Sequence, residues 1–139
     1  MSGYENLKIK SEHNYIIGEI SQKNEYFDVA VSRYYYSLFQ LINYILFTRK
    51  NGFKIPNSEG SHTYIITEFK RYFYRKYKDK LKDEDYSDLT VLDDFKRLRK
   101  QADYDQRFIT EKEFTNDFWK KFNPCYNMVL SKLVMKEDE

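Results

Sequence analysis

The sequence predicts an all-α bundle of four to five helices. Two observations carry this. Apolar residues recur at steps of three and four along most of the chain, and no segment sustains a period of two. Turn formers are scarce, 4 Gly and 2 Pro in 139 residues, too few for the many short strands of a sandwich or barrel. A composition of 41% hydrophobic and 33% charged residues suits one globular domain spanning 1–139. A chain of this length can bury about two-thirds of its unfolded surface, so a core needs no staple. The aromatic share, 19% with 14 Tyr and 11 Phe, is the unusual feature.

Residues 4–22 carry an incomplete helical stripe of Leu7, Ile9, Tyr15, Ile16 and Ile20. The next segment, about Glu25 to Lys50, is far clearer. Phe27, Val31, Tyr34, Leu38, Leu41 and Ile45 follow one another at steps of 4, 3, 4, 3 and 4. Tyr35, Phe39, Ile42 and Leu46 add a neighbouring face, so this helix belongs at the centre of the packing. Asn51 to Ser61 holds Gly52, Pro56 and Gly60 and reads as a loop. A helix starts near Ser61 with Ile65, Phe69, Tyr72 and Phe73, and gives way to a charged stretch from Lys76 to Asp88. From about Asp88 another helix places Val91, Phe95, Leu98 and Ala102 on one face. Thr110 and Glu113 form a capping-box pattern that opens a last helix with Phe114, Phe118 and Phe122. Pro124 is expected to kink or break it, with Met128, Val129 and Leu133 continuing the stripe beyond.

Several function classes fall away. The single Cys125 and two distant His build neither a disulfide framework nor a usual zinc site, so no metal or cofactor is expected. The greasiest run, Tyr34 to Phe47, is short and interrupted by Ser37, Gln40 and Asn43, which argues against a membrane span. The first residues lack a charged-then-apolar signal pattern, and the expected location is the cytoplasm. A net charge of +2 means that nucleic-acid binding would need local clustering of cations.

Two clusters are candidates. Arg33, Ser37, Gln40 and Tyr44 form a polar stripe on the apolar helix, flanked by Tyr36 and Asn43. It is either a structural hydrogen-bond network or the lining of a cleft. Lys70 to Lys82 holds seven basic residues, among them Arg71, Arg75 and Lys76, with Tyr72, Phe73, Tyr74 and Tyr77 interleaved. Exposed, these would attract phosphates and stack on bases; alternatively the aromatics face the core and the cations are merely solvated.

Three short motifs occur in order: Ala30-Val31-Ser32-Arg33-Tyr34-Tyr35-Tyr36-Ser37-Leu38-Phe39 in the long helix, Ser61-His62 after the loop, and Arg99-Lys100-Gln101-Ala102-Asp103-Tyr104 late in the chain. In these motifs and their spacing, over nearly its whole length, the chain resembles the small stand-alone proteins of the HEPN superfamily (higher eukaryotes and prokaryotes nucleotide-binding). The resemblance implies a helical bundle that forms a homodimer, with the late-chain arginine helices of two subunits meeting in a shared cleft. Catalytic HEPN proteins are metal-independent endoribonucleases of toxin–antitoxin pairs, CRISPR-linked effectors and other phage-defence systems. Their Arg-x(4–6)-His signature is broken here: counted from Arg99 the histidine positions are Tyr104, Asp105 and Gln106, and from Arg97 they are Ala102, Asp103 and Tyr104.

The loss bears directly on the chemistry. Metal-independent RNA cleavage needs a group to take the 2′-hydroxyl proton, one to protonate the leaving oxygen, and a cation for the phosphorane. Arg99 suits the last role. Tyr104, with an ordinary pKa of about 10, is a poor base. Asp103 stands at i+4 from Arg99, where an ion pair would lower its pKa. Tyr104 lies five residues beyond Arg99, so a regular helix would point the two apart.

The expectation is an RNA-acting HEPN-like protein, an endoribonuclease toxin with Arg99, Asp103 and Tyr104 as its catalytic set. Arg33, Tyr36, His62, Arg71, Arg75 and Lys76 would bind RNA or a nucleotide, and an antitoxin or nucleotidyltransferase-like protein would be the partner. The alternative is a non-catalytic HEPN module that binds a nucleotide, RNA or such a partner. A third is a helical interaction protein whose aromatics are core and interface.

Overall fold

The computed structural model describes residues 3–50, 52–54, 61–77 and 89–131. The chain is all-helical among these residues, and four helices come first: α1 (Glu5–Lys23), α2 (Phe27–Arg49), α3 (Ser61–Tyr77) and α4 (Leu92–Tyr104). The last, α5, is a composite: α-helical over Glu111–Glu113, π-helical over Phe114–Trp119, and α-helical again over Lys120–Met128. None of the described helices is long and apolar enough to cross a membrane.

Helix α2 is the axis of the bundle, as its two apolar faces require. Thirteen of its residues are buried, from Ala30 and Val31 near its start to Ile45 and Leu46 near its end. Phe69 and Phe73 of α3, Phe95 of α4, and Phe114, Phe118 and Phe122 of α5 complete the core, all at or near zero exposure. Much of the aromatic surplus is thus core.

Helix α1 departs from the reading of its sequence. Ile9, Ile16, Ile17 and Ile20 are about half exposed, while Ser11, Gly18 and Ser21 are buried. The seam with α2 is built from small residues and hydrogen bonds. Ser11 Oγ donates to the Ser37 carbonyl at 2.6 Å, and Ser37 Oγ donates to the Ser11 carbonyl at 2.7 Å. Asn14 Nδ2 donates to Gln40 Oε1 at 2.8 Å, and Tyr44 reaches Glu5 at 3.5 Å. The polar stripe of α2 is therefore a seam facing α1, and Leu7 and Tyr15 are what remains of the apolar face predicted for α1.

The turn from α1 into α2 ends the first helix in a Schellman arrangement. Tyr26 N–H donates to the Ser21 carbonyl and Glu25 N–H to that of Gln22, with Glu25 at φ 62°. Helix α2 consequently begins at Phe27, two residues after the predicted start. At its N-terminal end, Asp28 Oδ1 accepts from the Ile109 N–H at 2.8 Å and pins the segment leading into α5. The capping box is present, with Glu113 N–H donating to Thr110 Oγ1 at 3.2 Å.

Pro124 does not break the last helix, which continues through it to Met128. The proline removes one N–H, the donor that would reach the carbonyl of Lys120. Residues 55–60, 78–88 and 132–139 lie outside the described residues, and with them Pro56, Gly60, Lys78, Lys80, Lys82 and Leu133.

Candidate functional site: a basic pocket between α3 and α4

Helix α4 is short and strongly two-faced. Leu92, Phe95 and Leu98 pin it to the core, and Arg99 comes one residue after Leu98 on the edge of that apolar face. The packing draws Arg99 in until only 7% of it is exposed. Its guanidinium lies 5.4 Å from the Tyr35 ring and 5.7 Å from the Tyr36 ring, both on α2. Aromatic faces accept a planar cation, which makes this burial tolerable. Asp103 is 3.6 Å away at the i+4 position, and Arg99 Nε is buried with no hydrogen-bond acceptor.

His62 enters from the first turn of α3. Its ring stacks on Phe39 at 4.2 Å, and its Nδ1 lies 2.9 Å from the Tyr35 hydroxyl. Ser61, His62, Lys96, Arg99 and Lys100 line an open pocket of about 150 Å³. Lys96 Nζ donates to Thr63 Oγ1 and so ties α4 to α3 beside the pocket. The pocket stands at the described N-terminal end of α3, whose first turn carries no acidic residue, so the helix dipole adds to the positive field.

The electrostatics decide what the pocket can do. Burial, and then the charges of Arg99, Lys96 and Lys100, hold the His62 pKa below its ordinary 6.5. Burial pushes the Tyr35 phenol up, outweighing the nearby Arg99 charge, so Tyr35 keeps its proton. The Tyr35 hydroxyl and the His62 ring share one hydrogen bond whose direction follows the His62 tautomer. Arg99, Lys96 and Lys100 converge on the pocket beside neutral His62, and no carboxylate lines it, a set suited to holding a phosphate.

Of the residues singled out in the sequence, Arg99, His62 and Tyr36 come together here, with Asp103 paired to Arg99. Tyr104 does not join them. It is 79% exposed at the end of an unbroken helix, so the distortion that would turn it toward Arg99 is absent. Arg33 is exposed and its hydrogen bond goes to Asn14 of α1 at 3.5 Å, on the seam rather than in the pocket. Arg71 pairs with Glu68 at 3.0 Å, Lys76 donates to the Tyr72 hydroxyl at 3.0 Å, and neither these nor Arg75 line the pocket. In the described part of the basic-aromatic stretch Phe73 is fully buried and Tyr72 and Tyr77 partly so, which leaves Tyr74 as the exposed ring.

Lys96, Lys100 and Tyr35 were missed by sequence reasoning. A signal existed: Lys96, Arg97, Arg99 and Lys100 are four cations in five residues, with Lys96 and Lys100 one turn apart. No three His, Cys, Asp or Glu side chains gather as metal ligands among the described residues. Comparison with family models, with characterised proteins and with solved structures finds no match to this chain.

Proposed function

We propose that this chain is a HEPN-like RNA-acting protein whose basic pocket holds a phosphate of RNA or of a nucleotide, and that it acts there as a binding module. The observation that carries this is the cation-lined pocket: Arg99, Lys96 and Lys100 converge beside a neutral His62, with no carboxylate in its lining. An endoribonuclease would need an acceptor for the 2′-hydroxyl proton, and Asp103, paired with Arg99 at 3.6 Å, does not line the pocket. Of the two HEPN readings, the geometry therefore favours the non-catalytic one.

The experiment is an RNA-binding and cleavage assay in EDTA with wild type, Lys96→Gln and His62→Gln. Binding without cleavage, weakened in both variants, is the expected outcome. Discrete cuts by the wild type that His62→Gln abolishes would reinstate the nuclease. RNA binding unaffected by either substitution would move the site elsewhere. The toxin–antitoxin or phage-defence setting rests on the resemblance, and growth arrest on expression, relieved by Lys96→Gln, is its test. A homodimer belongs to the same proposal. Tyr104 and Phe108, 79% and 81% exposed beyond the pocket, support a second copy covering that end, and light scattering should give twice the 17.1 kDa chain mass.

A further inference from the structure

A second cavity, of about 300 Å³, opens beside the first and is lined by Asp93, Lys96, Arg97 and Lys100. These four stand at i, i+3, i+4 and i+7, one continuous face of α4. Lys96 and Lys100 line both cavities, which makes the two neighbours along the helix. The one acid in the second cavity is neutralised: Asp93 Oδ2 accepts from Lys70 Nζ at 2.9 Å. Arg97 and Lys100, by contrast, have no acceptor among the described residues. Two cations without an acceptor among the described residues, facing adjoining open cavities, favour a chain of negative charges over a single one. A mononucleotide would ask for one enclosed pocket with space for its base, whereas a strand needs an open positive track that its backbone can enter and leave.

We propose that α4 carries a two-phosphate track, the His62–Arg99 pocket taking one phosphate and the Arg97-lined cavity the next, so that the ligand is a single-stranded polynucleotide. This rests on the phosphate-binding reading of the first pocket. Tyr36, whose ring lies 5.7 Å from the Arg99 guanidinium and 6.5 Å from the His62 ring, offers an aromatic face at the same end of the track.

The test is fluorescence anisotropy with a labelled ten-nucleotide oligo-U, with uridine monophosphate as competitor, across a salt series. Arg97 is exposed and outside the first pocket, so Arg97→Gln leaves the fold and that pocket in place. It is expected to weaken oligo-U binding and to lower the slope of log affinity against log salt by about 0.7, one single-strand phosphate contact. Lys100→Gln should reduce both oligo-U and uridine monophosphate binding. Should Arg97→Gln leave affinity and slope unchanged while Lys100→Gln and Lys96→Gln reduce them, the track is wrong and the single-phosphate pocket survives. Equal affinity for oligo-U and uridine monophosphate would likewise overturn the track. Absence of binding to either ligand overturns both readings.

Discussion

Gly18 shows how one residue can set the distance between two helices. A Cβ there would sit 2.8 Å from the Tyr34 ring, and Tyr34 is fully buried with its hydroxyl donating to Gln22 at 2.8 Å. Two effects compete in Gly18→Ala. Helix propensity favours alanine by about 1 kcal/mol, and overpacking against an immobile ring costs about 1–3 kcal/mol. The steric effect wins, so urea unfolding should show a net loss of stability; a gain would mean that the α1–α2 seam is looser than described. Glu25 makes the opposite case. At φ 62° it occupies the left-handed position of the Schellman turn, where glycine carries no Cβ penalty. Glu25→Gly is expected to stabilise by about 0.5–1 kcal/mol, read as a rise in thermal midpoint. Neither could be foreseen from the residues alone, since no local pattern shows that Gly18 faces Tyr34, and Glu25 reads as a helix start.

His62 carries the pH dependence of the pocket. Its folded pKa lies below 6.5, chiefly through burial and then through Arg99, Lys96 and Lys100. The unfolded chain then binds more protons than the folded one as pH falls through 6.5. The stability contributed by neutral His62 is complete above that value and is lost progressively on acidification below it. The chain has two histidines, so an NMR titration separates His62 from His13 directly. Lys100→Met, which removes one of the repelling charges, should move the His62 midpoint up toward 6.5. An unchanged midpoint would place Lys100 outside the pocket.

At the scale of the element, the composite α5 explains a spacing that a regular helix would not keep. Phe114, Phe118, Phe122 and Tyr126 are separated by four residues each time. On an α-helix every such step advances about 40°, so the four rings would wind around the axis. The π-helical stretch Phe114–Trp119 turns less per residue, so its drift runs opposite to that of the α-helical turns after it and offsets it. Phe118 stacks on Phe122 at 4.9 Å, and Phe122 on Tyr126 at 5.6 Å. Phe118 also meets Phe95 of α4 at 5.6 Å, so the column positions the helix that bears the pocket. Phe118→Ala is expected to cost about 3–5 kcal/mol in urea unfolding. A cost below 1 kcal/mol would show that the column does not hold α4. The apolar faces of α2, α3 and α4 were legible because each follows steps of three and four; the π stretch was not, because a repeat of four fits either helix loosely.

For the whole molecule, the residues themselves determined that the chain is an all-helical bundle with α2 at its centre and a capped last helix. Hydrophobic periodicity and capping are local properties, and local order is enough to express them. They also brought forward Arg99 and His62, through a resemblance rather than through any visible proximity. Only the tertiary structure decided which candidates share a site. Thirty-seven residues separate His62 from Arg99, and packing of α3 and α4 against α2 brings both to Tyr35. The same packing sends Arg33 to the α1 seam and leaves Tyr104 in solvent. It also brings the Tyr35 hydroxyl to 2.9 Å from His62 Nδ1. Such a distance is set by how helices pack, not by their order in the chain.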